Sequence, residues 1–297
     1  MKKILGLFSL IILIAARSAF AQETLQVILL VDRPLTADTY IYRVLDLALK
    51  NQIIPYSLEI QVVNASEPRR VRIVNSSPKN YIIALGNRKE QEEKLLPIYV
   101  PIQLGLGLGQ RIMLTRAEVK EKLKKVKNIE DLTQFVFAQG LGWSDVKILR
   151  DAGFKVQTPA KPANIPKMIM YKRVDLYPRG LFEIDLEYER YAAEHPGLVI
   201  DDNIVLTYPQ ASFFYVRKNN HKLHDAIKDG MEKAYKSGQL QNLIMTDPVF
   251  SKALKEINLG ERVRINIPAQ NISKKSSEAL KKHPFIFNKK KGKTINK

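Results

Sequence analysis

The alternation of short strands and short helices between Thr133 and Gly180 is the feature that most constrains the fold of this chain. The predicted elements follow one another as strand Gln134–Gln139, helix Trp143–Arg150, strand Phe154–Gln157, helix Ile165–Lys172 and strand Val174–Tyr177. Strands that alternate with helices indicate an α/β fold in which a mostly parallel sheet carries helices on its faces. Right-handed crossovers bring the carboxyl ends of such strands to one edge, where open α/β sheets bind ligands. The sequence therefore places two turns, Gly140–Asp145 and Pro178–Gly180, at a ligand-binding edge.

Three segments carry a resemblance to a known family: FAQGLGWSDVKILRDAGFKV, MIMYKRVDLYPRG and FFYVRKNNHKLHDAIKDGMEKAYKSGQL. Their order of strand, glycine turn, helix, polar-ended strand, return strand and long helix resembles the periplasmic solute-binding proteins of the amino-acid-binding type (family 3-like). The resemblance is strongest over residues 135–240. It implies a two-lobe fold of the type II periplasmic binding proteins, with each lobe a mostly parallel sheet flanked by helices and with a hinge between the lobes. It also implies a role as the substrate-binding component of an ABC transporter.

The resemblance implies a division of the chain into two lobes, and the charge and hydropathy of the ends add two terminal segments. The predicted boundaries are a signal peptide at 1–21, a discontinuous first lobe at 22–115 plus 206–268, a second lobe at 116–205 and a basic tail at 269–297. The first lobe opens with an apolar strand, Leu25–Leu30, followed by a helix with apolar residues at helical spacing up to Lys50. A strand-helix start of this kind is what a first α/β lobe should show.

The N-terminus has the features of a secretory signal. Lys2 and Lys3 precede the apolar run Ile4–Ala16, and Ala19-Phe20-Ala21 forms an A-x-A cleavage site. The alternative is a membrane anchor, but a spanning helix needs roughly 20 apolar residues. We therefore expect cleavage after Ala21 and a periplasmic location.

The net charge is +18, and +8 of it lies in the C-terminal segment. Residues 274–297 hold nine lysines and one glutamate, and their KKKGK run should repel itself. We expect this tail to be largely disordered. Two readings of its role stay open: a solvated tail, or contact with anionic lipid head groups and other anionic surfaces. Nucleic-acid binding is not expected, because no basic patch is interleaved with aromatic residues.

Enzyme, metal and cofactor chemistry find little support in the sequence. There is no cysteine, so thiol nucleophiles and thiolate metal sites are excluded. His221 and His224 share one predicted helix face but lack a further ligand for a metal ion. The glycine run at 105–109 has G-x-G-x-G spacing and leads into a strand, so it provides no helix N-terminus for a pyrophosphate. We expect no enzyme activity, no metal and no cofactor.

Arg179 is the first candidate for ligand binding. A planar guanidinium suits bidentate pairing with a carboxylate or a phosphate. In the resembling family an acidic residue often stands at this strand end and takes the amino group of the ligand, so an arginine here argues against an ordinary α-amino acid. The alternative is a structural pair with Glu183, four residues on. If Arg179 binds the ligand, its replacement by alanine should weaken binding without unfolding the protein.

The other candidate ligand contacts come from the glycine turn, the hinge region and aromatic residues. Free N–H groups at the helix start after Gly140 suit an anionic group. The alternative roles are an N-cap for Ser144, a helix-dipole partner for Asp145 and a core position for Trp143 or the tyrosines. The candidates are Gly142, Trp143, Ser144, Asp145, Arg111, Glu183, Tyr40 and Tyr215.

The sequence thus predicts a secreted, monomeric solute-binding protein that closes two lobes around a small polar, anionic molecule for delivery to a permease. The first alternative is a ligand-sensing or partner-binding regulatory protein of the same fold, which would act with a sensor. The second is an enzyme on this fold that acts on cell-wall material. That enzyme would need a free carboxylate in the cleft, so a Glu183 paired with Arg179 would count against it.

Overall fold

A computed structural model describes residues 24–141 and 143–286. The predicted signal peptide, Gly142 and the end of the basic tail from residue 287 lie outside the described residues.

The described residues form twelve strands and eleven α-helices. The strands are β1 (Leu25–Val31), β2 (Tyr56–Val62), β3 (Tyr81–Gly86), β4 (Leu95–Ile98), β5 (Gln110–Arg116), β6 (Val136–Ala138), β7 (Lys155–Gln157), β8 (Tyr177–Gly180), β9 (Leu198–Ile200), β10 (Ile204–Thr207), β11 (Ser212–Arg217) and β12 (Val263–Asn266). The helices are α1 (Tyr40–Lys50), α2 (Glu67–Ser76), α3 (Lys89–Lys94), α4 (Ala117–Leu123), α5 (Ser144–Asp151), α6 (Ile165–Met170), α7 (Ile184–Ala192), α8 (His221–Lys236), α9 (Gln239–Thr246), α10 (Pro248–Glu256) and α11 (Lys274–Lys282). Strands and helices therefore alternate through most of the chain, as an α/β fold requires.

The first lobe is built on a five-stranded sheet in the order β2-β1-β3-β11-β4. β1 pairs in parallel with β2 and β3, whereas β11 runs antiparallel to both of its neighbours. Helices α1, α8, α9 and α10 contribute to the apolar core on one face, and α2 and α11 contribute to the core on the other. Coverage of both faces explains the nearly continuous apolar run of β1, because a strand buried on two sides has no polar alternation.

The second lobe departs from the predicted parallel sheet. Its main sheet has the order β12-β10-β5-β8, with β9 also paired to β5, so it includes β5 and β12, most of whose residues the predicted boundaries assigned to the first lobe. β5 runs antiparallel to β8, β9 and β10. Only the pair of β10 with β12 is parallel there, and β6 with β7 forms a separate parallel pair. The sheets are therefore mixed. β5 brings the chain from the first lobe into the second. Its neighbours β8, β9 and β10 run in the opposite direction, so each forms an antiparallel pair with β5.

β8 also lies further along the chain than the sequence pattern predicts. Pro178, Arg179 and Gly180 were expected to end a strand, but they form one with Tyr177. Pro178 is tolerated because β8 lies at the end of its sheet, where a strand can lack one donor. Arg179 is therefore held in a strand, opposite Ile112 of β5.

An aromatic contact joins the two lobes. The ring of Phe182, which follows β8, stacks on Phe250 of α10 with centroids 3.8 Å apart. Phe250 also contacts the ring of Tyr40 at the start of α1, at 4.3 Å. Leu181 and Ile184 belong to the same apolar core as the helices of the first lobe. Apolar packing therefore connects the lobes beside the cleft.

The first part of the predicted basic tail is ordered, so the expectation of disorder is wrong for residues 269–286. After β12 the chain returns to the first lobe and forms α11, whose Ala279 is buried in the core beside α2. Ser276 donates a hydrogen bond to Glu92 at 2.6 Å, and Phe285 is buried in the core of the opposite face. Only four of the nine tail lysines fall in this segment, and the buried Ser276 and Ala279 share one face of α11 and can pack.

None of the helices within the described ranges combines the length and the apolar character needed to cross a membrane.

Candidate functional site

The strongest candidate site is a cavity of about 270 Å³ between the two lobes. Its lining from the first lobe includes the end of β3 and the start of α2. Its lining from the second lobe comes from β5, β8, the start of α5 and the connection between β10 and β11. The lining residues are Glu67, Gly86, Arg88, Leu108, Arg111, Trp143, Ser144, Asp145, Arg179, Glu183 and Gln210.

Neighbouring antiparallel strands bring two arginines to this cavity. Arg111 on β5 lies opposite Gly180 of β8, and Ile112 lies opposite Arg179. Successive residues of a strand alternate between the faces of a sheet, so the two side chains leave the sheet on opposite faces. Both guanidinium groups nevertheless reach Glu183, whose Oε2 lies 3.7 Å from Nη1 of Arg111 and 3.1 Å from Nη2 of Arg179. The start of α5 supplies Ser144, whose hydroxyl oxygen accepts a hydrogen bond from the Gln210 side chain at 2.5 Å. Segments distant in sequence therefore converge on one small volume.

Arg111 is the buried centre of a polar network. Its side chain is 3% exposed, and Nη2 lies 2.8 Å from Oδ1 of Asp145. Nε donates to the Tyr208 hydroxyl at 2.7 Å, and Nη2 also donates to Oε1 of Gln210 at 3.2 Å. The Tyr208 hydroxyl in turn donates to Asp145. Burial alone would lower the pKa of Arg111, but the Asp145 carboxylate raises it above its usual value, so the guanidinium stays charged.

Arg179 has both carboxylate and aromatic partners. Nε and Nη2 donate to the two oxygens of Glu187 at 2.8 and 2.5 Å, which is a bidentate pair. Nη2 also lies 3.1 Å from Oε2 of Glu183. The guanidinium carbon is 4.9 Å from the centre of the Trp143 ring and 5.0 Å from that of Tyr177, which are cation–π distances. The structural pair with Glu183 is therefore present, although Glu187 provides the closer contacts.

These contacts change what the replacement of Arg179 by alanine would do. The variant would leave two carboxylates in the cleft without their main partner, and an uncompensated buried charge destabilises the fold. We therefore expect Arg179→Ala to lose both stability and solute binding, and not solute binding alone. A lysine at this position keeps the charge and is the better probe of binding.

Glu183 sits between the two arginines. Its Oε2 accepts a hydrogen bond from the main-chain N–H of Gly180 at 3.1 Å and lies 3.7 Å from Nη1 of Arg111. Burial alone would raise the pKa of this carboxyl, but Arg179 and Arg111 lower it below its usual value. Glu183 is therefore ionised at neutral pH and is not suited to act as a general acid.

The third arginine of the cavity is paired as well. Arg88 contacts Glu67 of α2, and the same glutamate accepts a hydrogen bond from Gln91 at 2.6 Å. Each of the three arginines that line the cavity therefore has a carboxylate partner within the protein. A solute anion that enters must compete with these carboxylates for the guanidinium groups.

A larger cavity of about 730 Å³ adjoins the first and shares Glu67 and Gly86 with it. It lies at the carboxyl ends of β1 and β3, where open α/β sheets bind ligands. Its charged lining includes Asp32 and Arg70, whose Nη2 lies 3.1 Å from the Asp32 carboxylate. Sequence reasoning missed these first-lobe residues. The available signal was the turn Asp32-Arg33-Pro34 directly after an apolar strand.

The predicted site residues divide into four groups in the structure. Six line the smaller cavity: Arg111, Trp143, Ser144, Asp145, Arg179 and Glu183. Tyr40 lines the larger cavity, and its hydroxyl donates to the main-chain oxygen of Ile102 at 2.8 Å. Tyr215 lines neither cavity, because its place in β11 buries it completely in the core of the first lobe. The prediction of Tyr215 as a ligand contact was therefore wrong. Gly142 lies outside the described residues.

Within the described residues, no group of three or more histidine, aspartate or glutamate side chains could hold a metal ion. His224 instead contacts Asp225 and the main-chain oxygen of Pro97.

Comparison with known proteins identifies the fold. No protein-family model matches the chain, and no curated protein matches it. Among solved structures, the probable amino-acid ABC transporter extracellular-binding protein YtmK of Bacillus subtilis has a TM-score of 0.58 at 14% identity, covering 77% of this chain and 100% of that one. YckB of B. subtilis has a TM-score of 0.51 at 17% identity, covering 81% and 96%. A structure from work on glutathione import through GshT and the cystine importer TcyBC of Streptococcus mutans has a TM-score of 0.54 at 14% identity, covering 76% and 95%. The chain therefore has the two-lobe, type II periplasmic binding protein fold.

Proposed function

We propose that this protein is a secreted, periplasmic solute-binding protein. It would close its two lobes around one small polar solute that carries an anionic group, and deliver that solute to a membrane permease. The observation that carries the proposal is the convergence of Arg88, Arg111 and Arg179 on one cavity between the lobes. The structures with the same fold include a probable amino-acid ABC transporter extracellular-binding protein, which supports a transport role.

The chemistry of the cavity supports a solute with an anionic group. Arg111 and Arg179 are strong donors to carboxylates, and Ser144 and Gln210 add neutral polar groups beside them. Trp143 supplies an aromatic wall next to Arg179. Because the cavity walls already hold paired charges, a bound anion would exchange partners with protein carboxylates. The solute must therefore offer further contacts, for which the adjoining larger cavity has room.

The position of the site supports the proposal of lobe closure. Two of the places where the chain passes between the lobes lie beside Arg111 and Gln210, so two residues of the cavity stand at crossings. A solute that contacts both lobes binds more tightly to the closed form and shifts the population toward it. Charged hydrogen bonds in the desolvated cleft would provide most of the binding energy.

The test is thermal unfolding of the protein with amino acids, small peptides, dicarboxylates and sugar acids. A solute at a hundred times its dissociation constant stabilises the folded state by about 2.7 kcal/mol. We expect one chemical class to raise the midpoint. Replacement of Arg179 by lysine should weaken that binding at least about tenfold, because lysine cannot reproduce the bidentate and stacked contacts.

The matched control is Arg190→Lys, on the exposed side of α7 and outside the cavity, which should bind as tightly as the wild type. Equal affinity in Arg179→Lys and wild type would remove Arg179 from the site. No response to any solute would favour the regulatory alternative, in which the cleft serves a partner. The pairing of Glu183 with Arg179 counts against the cell-wall enzyme alternative.

A further inference from the structure

We propose that Glu183 is a tethered carboxylate that occupies the anion position of the cleft and prevents simple anions from binding there. The inference rests on the proposed solute-binding function for its biological meaning. Its physical basis is the set of contacts of one oxygen, Oε2. That oxygen lies 3.1 Å from the Gly180 main-chain nitrogen, 3.1 Å from Nη2 of Arg179 and 3.7 Å from Nη1 of Arg111.

The surroundings of Oε2 are those of an anion-binding position. One main-chain N–H donates to this oxygen, and two guanidinium groups from neighbouring strands lie 3.1 and 3.7 Å from it. Two positive charges and a donor this close favour a carboxylate. The close approach depends on glycine at position 180. A methyl group there would lie 3.0 Å from Oε2 of Glu183 and 3.2 Å from Nη1 of Arg111, which is tighter than ordinary packing. Because Gly180 has no side chain, the Glu183 carboxylate can lie directly against the backbone of β8.

Glu183 differs from the other carboxylate of this cluster. Glu187 uses both oxygens to hold Arg179, and its side chain is 19% exposed. Glu183 uses a single oxygen, and its side chain is 42% exposed. Rotation of its side chain into solvent breaks only the contacts of Oε2. Glu187 is therefore the structural partner of Arg179, and Glu183 is the displaceable one.

Tethering decides which solutes can compete. A carboxylate on the same chain acts at an effective concentration in the millimolar range or higher, so a free anion of equal affinity must exceed that concentration to replace it. A simple anion such as acetate gains nothing else in the cleft and remains excluded. A solute with further contacts in the adjoining cavity gains binding free energy there, which offsets the free energy needed to displace Glu183. Glu183 therefore sets specificity by rejecting small anions.

The test removes the tethered carboxylate by mutation and supplies acetate as a free carboxylate. Acetate is titrated into wild type and Glu183→Ala at constant ionic strength, and binding is read from the methyl proton resonance of acetate and from the unfolding midpoint. We expect Glu183→Ala to bind acetate at least about tenfold more tightly than wild type, with a saturable rise in its midpoint. Chloride at the same ionic strength should not produce that rise.

The matched control is Glu189→Ala, which removes an exposed carboxylate of α7 that pairs with Lys252 at 2.9 Å, outside the cavity. It should bind acetate no better than wild type. Equal acetate affinity in Glu183→Ala and wild type, including no binding by either, overturns the inference.

A second variant covers the case in which Glu183→Ala does not fold. Glu183→Gln keeps an oxygen that accepts from the Gly180 N–H but removes the charge, so acetate should again bind it more tightly than wild type. Equal affinity in Glu183→Gln and wild type also overturns the inference. If acetate binds these variants while wild type responds to no solute, the anion position is supported and the solute-binding proposal fails. If wild type responds to a solute and the variants gain no acetate binding, only the role of Glu183 fails.

Discussion

Replacement of Arg111 by methionine should destabilise the protein by about 3–5 kcal/mol and abolish solute binding. Arg111 is almost completely buried, and its guanidinium neutralises the buried carboxylate of Asp145. Methionine fills much of the same volume but leaves that carboxylate without a cation in a desolvated site. The Tyr208 hydroxyl also loses its donor from Nε. Chemical unfolding of wild type and variant measures the change in the free energy of unfolding.

A double variant tests whether the unpaired charge is the cause. Arg111→Met combined with Asp145→Asn removes both charges, and the asparagine oxygen can still accept from Tyr208. Replacement of a whole buried pair costs less than removal of one partner, so the double variant should be more stable than Arg111→Met alone. If the double variant is no more stable, or if Arg111→Met unfolds with wild-type stability, the charge argument is wrong.

Replacement of Gly230 by alanine should destabilise the protein by about 3 kcal/mol or more. Gly230 lies within α8, where the helix packs against α1. A methyl group at this position would lie 2.0 Å from the main-chain oxygen of Ala48 and 2.7 Å from its carbonyl carbon. Both atoms belong to the backbone of α1, so the two helices must separate to admit the methyl group. The measurement is again the free energy of unfolding.

This prediction reverses the expectation from helix propensity. Alanine is favoured over glycine in a helix interior by about 1 kcal/mol, so the sequence alone predicts stabilisation. Asp229→Ala, at the exposed neighbouring position of α8, is the matched control and should change stability by less than about 0.5 kcal/mol. An alanine at 230 that stabilises the protein would contradict the close helix contact.

The elements that the sequence predicted well have strong local patterns. α1 and α8 carry apolar residues at helical spacing, and β1 and β3 are short apolar runs, so their positions follow from residues within a few places of each other. The elements predicted poorly depend on distant partners. β8 forms at Tyr177–Gly180 because β5 pairs with it, although Pro178 and Gly180 locally favour a turn. The ordered helix α11 likewise depends on burial of Ala279 in the first lobe.

The candidate site shows the same division. Arg179 and the glycine turn could be selected because their chemistry is visible in one residue or one short segment. Glu187, the partner that holds Arg179 most closely, was not selected, because its contact depends on how α7 folds back beside β8. Asp145 was selected without its partner, because the pairing with Arg111 depends on how α5 meets β5. The first-lobe half of the cleft has one local signal, the turn Asp32-Arg33-Pro34, and it forms only when β1 and β3 lie side by side.

The distance between the two lobes should shorten when a solute binds, and this change can be measured. The chain contains no cysteine, so Ser76→Cys on α2 and Ala160→Cys in the second lobe, both exposed positions, can carry a spin-label pair. Pulsed electron resonance then gives the interlobe distance distribution with each solute class. We expect that a solute that raises the unfolding midpoint also shortens and narrows this distribution, with saturation at one equivalent. A solute that binds at saturation and leaves the distribution unchanged would contradict lobe closure.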